Sequence, residues 1–162
     1  MPITGGCVVP GHDSLYLEKA EEHYRLGLAS FASGRLLSAM RQLRMASEFG
    51  FDRDLVRMRL AVIDRCAGRP AVALRKLEEL LPGSGYDGEL YLQLGLALLD
   101  LERSRDAVEY FRQALKQSSL RWIRVEALRH IEKHVREERL ARLIEYAAHG
   151  KRMPQDSVNE QR

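Results

Sequence analysis

At 162 residues, with 45% apolar and 30% charged side chains, the chain is long enough for one domain with a real core and has the balance of a soluble globular protein. Its two cysteines, Cys7 and Cys66, are too few and too far apart for a disulfide framework, no C-x-x-C is present, and a reducing, cytoplasmic setting is expected. The net charge of +3 is modest and uneven: residues 1–119 carry sixteen basic and sixteen acidic side chains, residues 120–153 nine basic and five acidic.

In chain order, the opening stretch "MPITGGCVVPGHD" has neither a basic start nor a continuous apolar run, so no secretory signal is expected and 1–13 reads as a flexible arm. A single domain is expected over 14–150. Its first amphipathic stretch, 20–33, has apolar residues at helical spacing and stops at Gly34 before a second helical stretch. The same arrangement returns at 54–67, where the break is Gly68 and Pro70 falls in the first turn of the next helix, a place where no amide hydrogen bond is lost. The loop "PGSGYDG", 82–88, then leads to 88–101, which contains the leucine-rich run "YLQLGLALLDL" and ends at Glu102–Arg103. That run is bounded by Glu89, Asp100, Glu102 and Arg103 and falls far short of the roughly 20 residues a membrane span needs.

These stretches are copies of one another. "LGLASFASGRLLSA" from Leu26, "LAVIDRCAGRPAVA" from Leu60 and "LGLALLDLERSRDA" from Leu94 align at a step of 34 residues without a gap. Leu26, Leu60 and Leu94 coincide, followed by Gly27, Ala61 and Gly95, then Ala39, Ala73 and Ala107. Further on come Leu43, Leu77 and Phe111, and last Ala46, Leu80 and Ala114. Each unit therefore reads as an antiparallel helix hairpin. The small residues mark where one helix crosses the next, because close packing there offsets the poor helix propensity of glycine.

A 34-residue helix-turn-helix unit with this column pattern resembles the tetratricopeptide repeat, or TPR. The third copy, 88–121, matches through Tyr91, Leu94, Gly95, Ala107, Phe111 and Ala114; the first, 20–53, has His23 in the aromatic place; the second, 54–87, has Arg57 there. The resemblance implies an all-α, right-handed superhelix of three repeats. The step continues into the tail through Leu128, Ala141 and Ala148, with Arg129 in the small column and Glu145 in the aromatic one, so a degenerate fourth unit of capping helices is expected over 122–150. Its apolar seam is expected to be Trp122, Val125, Leu128, Ile131 and Val135, under charges laced by i,i+4 pairs rather than arranged as a nucleic-acid footprint. Residues 151–162 read as a flexible polar tail.

In TPR proteins the first helix of each repeat lines a concave groove. Carried over position by position, the groove falls on Glu21, Tyr24, Leu28, Phe31 and Ala32 in the first repeat and on Leu55, Met58, Val62, Arg65 and Cys66 in the second. The third contributes Glu89, Leu92, Leu96, Leu99 and Asp100. Tyr24, Leu28, Phe31, Met58, Val62, Arg65, Leu92, Leu96 and Leu99 are the candidate binding residues, and their apolar character suits a hydrophobic strand or an amphipathic helix of a protein partner. The Lys, Asn and Arg clamp with which some TPR domains hold acidic chaperone tails is replaced here by Tyr24, Leu28, Arg59, Glu89 and Gln93. The alternative is that the groove is filled from within by "SLYLEKAEE", by the C-terminal helix, or by a second copy in a homodimer.

Chemistry is scarce. His130 and His134 stand four apart in "HIEKH" without the glutamate of a zincin or a third ligand, and they read as part of a charged helix face. Cys66 reads as a small packed side chain, and no phosphate-binding loop is present. No catalytic residue, metal or cofactor is expected. By length, repeat number and groove character the chain resembles the small bacterial TPR chaperones of type III secretion; a generic adaptor or an oligomerising scaffold fits the same residues.

Overall fold

Among the described residues, four helices end in the same way. In a computed structural model that describes residues 12–81 and 87–148, Gly34, Gly50 and Gly68 take φ of 75°, 93° and 76°, and Glu102 takes 59°. Behind each of them the amide of the following residue reaches back five positions: Arg35 to the Ser30 carbonyl, Phe51 to Ala46, Arg69 to Asp64, and Arg103 to Leu98, at 2.9–3.0 Å. Together with the amide of the left-handed residue itself, which donates three positions back, these are Schellman endings that satisfy helix carbonyls and turn the chain. Three of them fall at the 34-residue step and fold each repeat into a hairpin.

The helices are α1 (His12–Ala32), α2 (Leu36–Glu48), α3 (Arg53–Cys66), α4 (Pro70–Glu78), α5 (Asp87–Asp100), α6 (Ser104–Gln117) and α7 (Arg121–Ala148), and no strand occurs among the described residues. The Asp52 carboxylate accepts from the Leu55 amide at 2.9 Å to cap α3, and Pro70 opens α4 as its position in the sequence suggests. Glu102 is the one non-glycine residue among the four left-handed endings. An L-residue pays about 1 kcal/mol for that backbone, so Glu102→Gly is expected to raise stability by about 0.5–1 kcal/mol in urea unfolding. A loss instead would mean that the Glu102 side chain makes a stabilising contact.

The hairpins pack at the crossings that the small residues mark. A Cβ on Gly95 would lie 2.5 Å from Phe111 Cε1, and one on Gly27 would lie 2.8 Å from Leu43 Cγ; Ala61 and Leu77 are buried in the corresponding place. Gly88 adds a crossing of its own, since a Cβ there would lie 2.9 Å from Ser118 Cα. Two core clusters result, one around Leu43, Val56 and Ile63, the other running from Met58 through Leu77, Leu94 and Phe111 to Ile123 and Ala127. Between them Asp64 is buried at the end of α3. It accepts from Arg69 Nη2 and from Lys76 Nζ, both at 2.6 Å, which ties α3 to α4.

Burial pushes the Asp64 carboxyl up, but the hydrogen bonds from Lys76 and Arg69 and their charges outweigh it and hold the group below the usual carboxylate range. A lowered folded-state pKa contributes stability that is present above the ordinary value and lost as pH falls through the lowered one. Asp64→Asn should therefore flatten the loss of melting temperature below the ordinary aspartate range, and an unchanged acid profile would remove the assignment.

The structure departs from the sequence expectations at both ends. Helix α1 begins at His12, eight residues before the expected start, so "SLYLEKAEE" extends the first helix and does not lie across the groove. The loose segments expected before His12 and after Ala148, and most of the 82–88 loop, lie outside the described residues. The expected capping pair is one unbroken helix of 28 residues. The reason is local: the turn column of Gly34, Gly68 and Glu102 holds Arg136 in the fourth unit, and α7 contains neither glycine nor proline. The seam also differs. Ile123, Ala127 and Ile131 face the core with the His130 ring stacked on Phe111 at 4.9 Å, whereas Trp122, Val125, Leu128 and Val135 are about half exposed.

Candidate partner-binding groove

Successive first helices touch: α3 packs on α5 and α5 on α7, while each second helix packs on the helices next to it in sequence. The row α1, α3, α5, α7 therefore forms the inner wall of the array, and its free side is the concave face.

Along this wall, residues of the same column make a track. Leu28, Val62 and Leu96 are partly exposed, one per repeat. Leu96 packs against the core below it, whereas Leu28 and Val62 belong to neither cluster. Phe31 and Leu99 flank the track, also partly exposed, each with one side on a core cluster. Tyr24 is partly exposed and stacks on Phe51 at 4.2 Å between centroids. Met58 and Leu92, expected in the groove, are not available there: each is 1% exposed and belongs to the core. The cause is position in the array. Among the described residues no repeat packs on the first from its N-terminal side, so its column stays open, whereas the same columns in later repeats are covered by neighbours on both sides. The Leu26, Leu60, Leu94 column shows the same effect, falling from 45% exposure at Leu26 to none at Leu94.

Charged groups on the wall are paired across repeats. Arg59 Nε donates to Tyr24 Oη at 3.1 Å, and its Nη1 and Nη2 donate to the Glu89 carboxylate at 2.5 and 3.4 Å. Burial disfavours the Arg59 charge, but the Tyr24 hydrogen bond and the Glu89 carboxylate overcome it and raise its affinity for the proton. Arg65 Nη1 donates to Asp100 Oδ2 at 3.0 Å, while its Nε and the buried Gln93 Oε1 have no hydrogen-bond partner among the described residues. Sequence reasoning placed Arg59, Glu89, Arg65 and Asp100 on the wall without pairing them. The available signal was spacing: Tyr24 and Arg59, like Arg65 and Asp100, lie 35 apart, one more than the repeat.

Three further residues fall elsewhere than expected. Cys66 is exposed on the last turn of α3, not packed. His130 and His134 turn inward from α7, and each Nε2 lies 3.4 Å from a different carboxylate, Glu126 and Glu138. The lacing of α7 is as expected, with Arg129 to Glu126 at 3.1 Å and Lys133 to Glu137 at 3.8 Å. No group of three metal-ligating side chains occurs among the described residues, and no described helix is long and apolar enough to cross a membrane.

The architecture is that of a helical repeat array with an apolar inner wall. More specifically, the chain has the tetratricopeptide-repeat fold. It superposes on the Sgt2 TPR domain from Aspergillus fumigatus with a TM-score of 0.59 at 18% identity, over 88% of this chain and 90% of that one. The Arabidopsis OM64 TPR domain gives 0.58 at 20% identity over 74% and 98%. The first TPR of Spaghetti (RPAP3), bound to the HSP90 peptide SRMEEVD, gives 0.59 at 16% identity over 75% and 94%. No family model matches the sequence, and no curated protein matches it.

Proposed function

We propose that the chain is a non-catalytic protein-interaction module whose concave wall seats an apolar peptide segment or one face of an amphipathic helix. The observation that carries this reading is the track of Leu28, Val62 and Leu96 along the inner helices, with Phe31 and Leu99 beside it and the neighbouring charges already paired. An apolar track supplies burial to a partner, and helical or extended segments with regularly spaced apolar residues are the ligands that match it. An acidic tail such as the one bound by the RPAP3 domain is a poor match. Arg59 is committed to Tyr24 and Glu89, so recruiting it for a carboxylate would strand the partly buried Glu89, and Arg65 already pairs with Asp100. Cradling an apolar segment is the task of a chaperone or an adaptor, and the groove suits either.

The test is the double change Leu28→Glu with Val62→Glu. Neither residue packs on a core cluster, so the free protein should keep its helical signal and most of its melting temperature. A bound apolar segment would have to bury two carboxylates, a cost of several kcal/mol, so recovery of the partner by affinity capture from native cells should fall to background. Unchanged capture would move the binding site off the concave wall.

A further inference from the structure

Helix α7 ends the array and packs on α6 and α5. Successive residues of an α-helix turn by about 100°, which puts Ile123, Ala127 and Ile131 together on the side that meets the array. On the other side, within an arc of about 160°, lie Arg121, Arg124, Arg129, Arg136, Arg139 and Arg142 with a single acid, Glu132, all of them exposed. Interleaved with the arginines on the same arc stand Trp122, Val125, Leu128, Val135, Leu140 and Leu143, each at least 40% exposed. Glu126, Glu137, Glu138 and Glu145 fall outside the arc. Among the described residues only Arg129 and Arg142 of the six have an acidic neighbour, Glu126 at 3.1 Å and Glu138 at 3.9 Å. With six positive charges against one negative, this one face carries a larger excess than the whole chain, whose net charge is +3.

We propose that this face of α7 adsorbs to an anionic lipid bilayer, the helix axis lying along the surface and the array standing off it. The argument is the mixture of charge and apolar surface on one convex helix. A nucleic-acid backbone would meet the arginines but leave six apolar side chains against phosphate and sugar. A protein partner would need a carboxylate opposite each guanidinium and a socket between them, on a lone helix that offers no groove. A bilayer meets both demands by depth: Val, Leu and Trp side chains enter the boundary of the hydrocarbon, while the arginine stems reach back to the lipid phosphates. Trp122, near the start of the helix, has the ring that favours the headgroup level. Because α6 already holds α7 in helical form, adsorption requires no folding. The contact is interfacial and crosses nothing, in keeping with the absence of a described helix apolar enough to span a membrane. It is separate from the Leu28, Val62 and Leu96 track and does not depend on the function proposed for it.

Trp122 is the only tryptophan in the chain, so its fluorescence reports on this face alone. Vesicles of phosphatidylcholine with about a third phosphatidylglycerol, added to the full chain, should shift the emission to the blue and carry the protein down on sedimentation. Vesicles of phosphatidylcholine alone should do neither, and added salt should weaken the binding to the anionic ones. Arg136→Glu with Arg139→Glu should weaken it about tenfold or more, and Leu140→Ser with Leu143→Ser should also weaken it without changing the charge. All four side chains are exposed, so both variants should keep the wild-type helical signal, and Leu28→Glu with Val62→Glu should bind vesicles as the wild type does. A chain that ignores anionic vesicles would overturn the proposal, as would equal binding to neutral ones or binding that either α7 variant leaves intact. A blue shift given by inorganic phosphate or a duplex oligonucleotide but not by the vesicles would overturn it too, assigning the face to free phosphate or to nucleic acid.

Discussion

Replacing Gly95 by leucine should lower the stability of the chain by roughly 1–3 kcal/mol, the cost of forcing extra carbon into a filled crossing. A Cβ alone would lie 2.5–2.9 Å from three atoms of the Phe111 ring. That ring has no slack, because it is fully buried and His130 of α7 stacks on its other side at 4.9 Å. Either α5 and α6 separate, or Phe111 turns and pushes on α7. The measurement is urea unfolding followed by helical circular dichroism. Gly27→Leu makes a useful comparison, since a Cβ there would lie 2.8 Å from Cγ of the buried Leu43 and 3.3 Å from its backbone nitrogen, and a loss of the same sign is expected. A neutral Gly95→Leu would show that the crossing is looser in solution than in the structure.

Ending the chain after Leu120 should have the larger effect. Helix α7 buries Ile123 and Ala127 fully and Ile131 in part, and it covers Phe111. Burial of an isoleucine side chain is worth about 1.5–3 kcal/mol, and the surface uncovered on α5 and α6 adds a comparable amount. The total approaches the whole stability of a small domain, about 5–15 kcal/mol. The truncated chain should therefore aggregate or melt far below the full one, as expected for an array that has lost its terminal cap. A soluble fragment with an unchanged melting temperature would contradict the capping role of α7.

What could be read from the sequence was whatever the repeat writes three times. Gly27, Ala61 and Gly95 marked the crossings because nothing but close packing explains a small residue recurring inside apolar helices. Gly34 and Gly68 marked the turns, and Glu102 was found at the third turn only through its alignment with them. The step of 34 says nothing about ends, and the misreadings gather there. Arg136 in the turn column was visible, yet Ala141 and Ala148, falling in step with Ala107 and Ala114, suggested a hairpin that the backbone does not make. Half of the groove was legible for a related reason. Column position fixes the direction of a side chain relative to its own helix, but whether Met58 or Leu92 is covered depends on the neighbouring repeats, which no single repeat encodes. Pairing of Arg59 with Glu89 was out of reach for the same cause, since it joins different repeats through long side chains.

Those pairings have a mechanical side. An array of hairpins bends most easily by opening or closing the angle between successive repeats, as a spring does, because each repeat touches only its neighbours. Tyr24, Arg59 and Glu89 form a continuous strut across the first helices of all three repeats, and Arg65 with Asp100 forms a second, shorter one. Both lie on the inner arc, where opening the curve would stretch them first. They act as tie rods that set the pitch of the coil, so the spacing of the Leu28, Val62 and Leu96 track is held fixed by the chain itself.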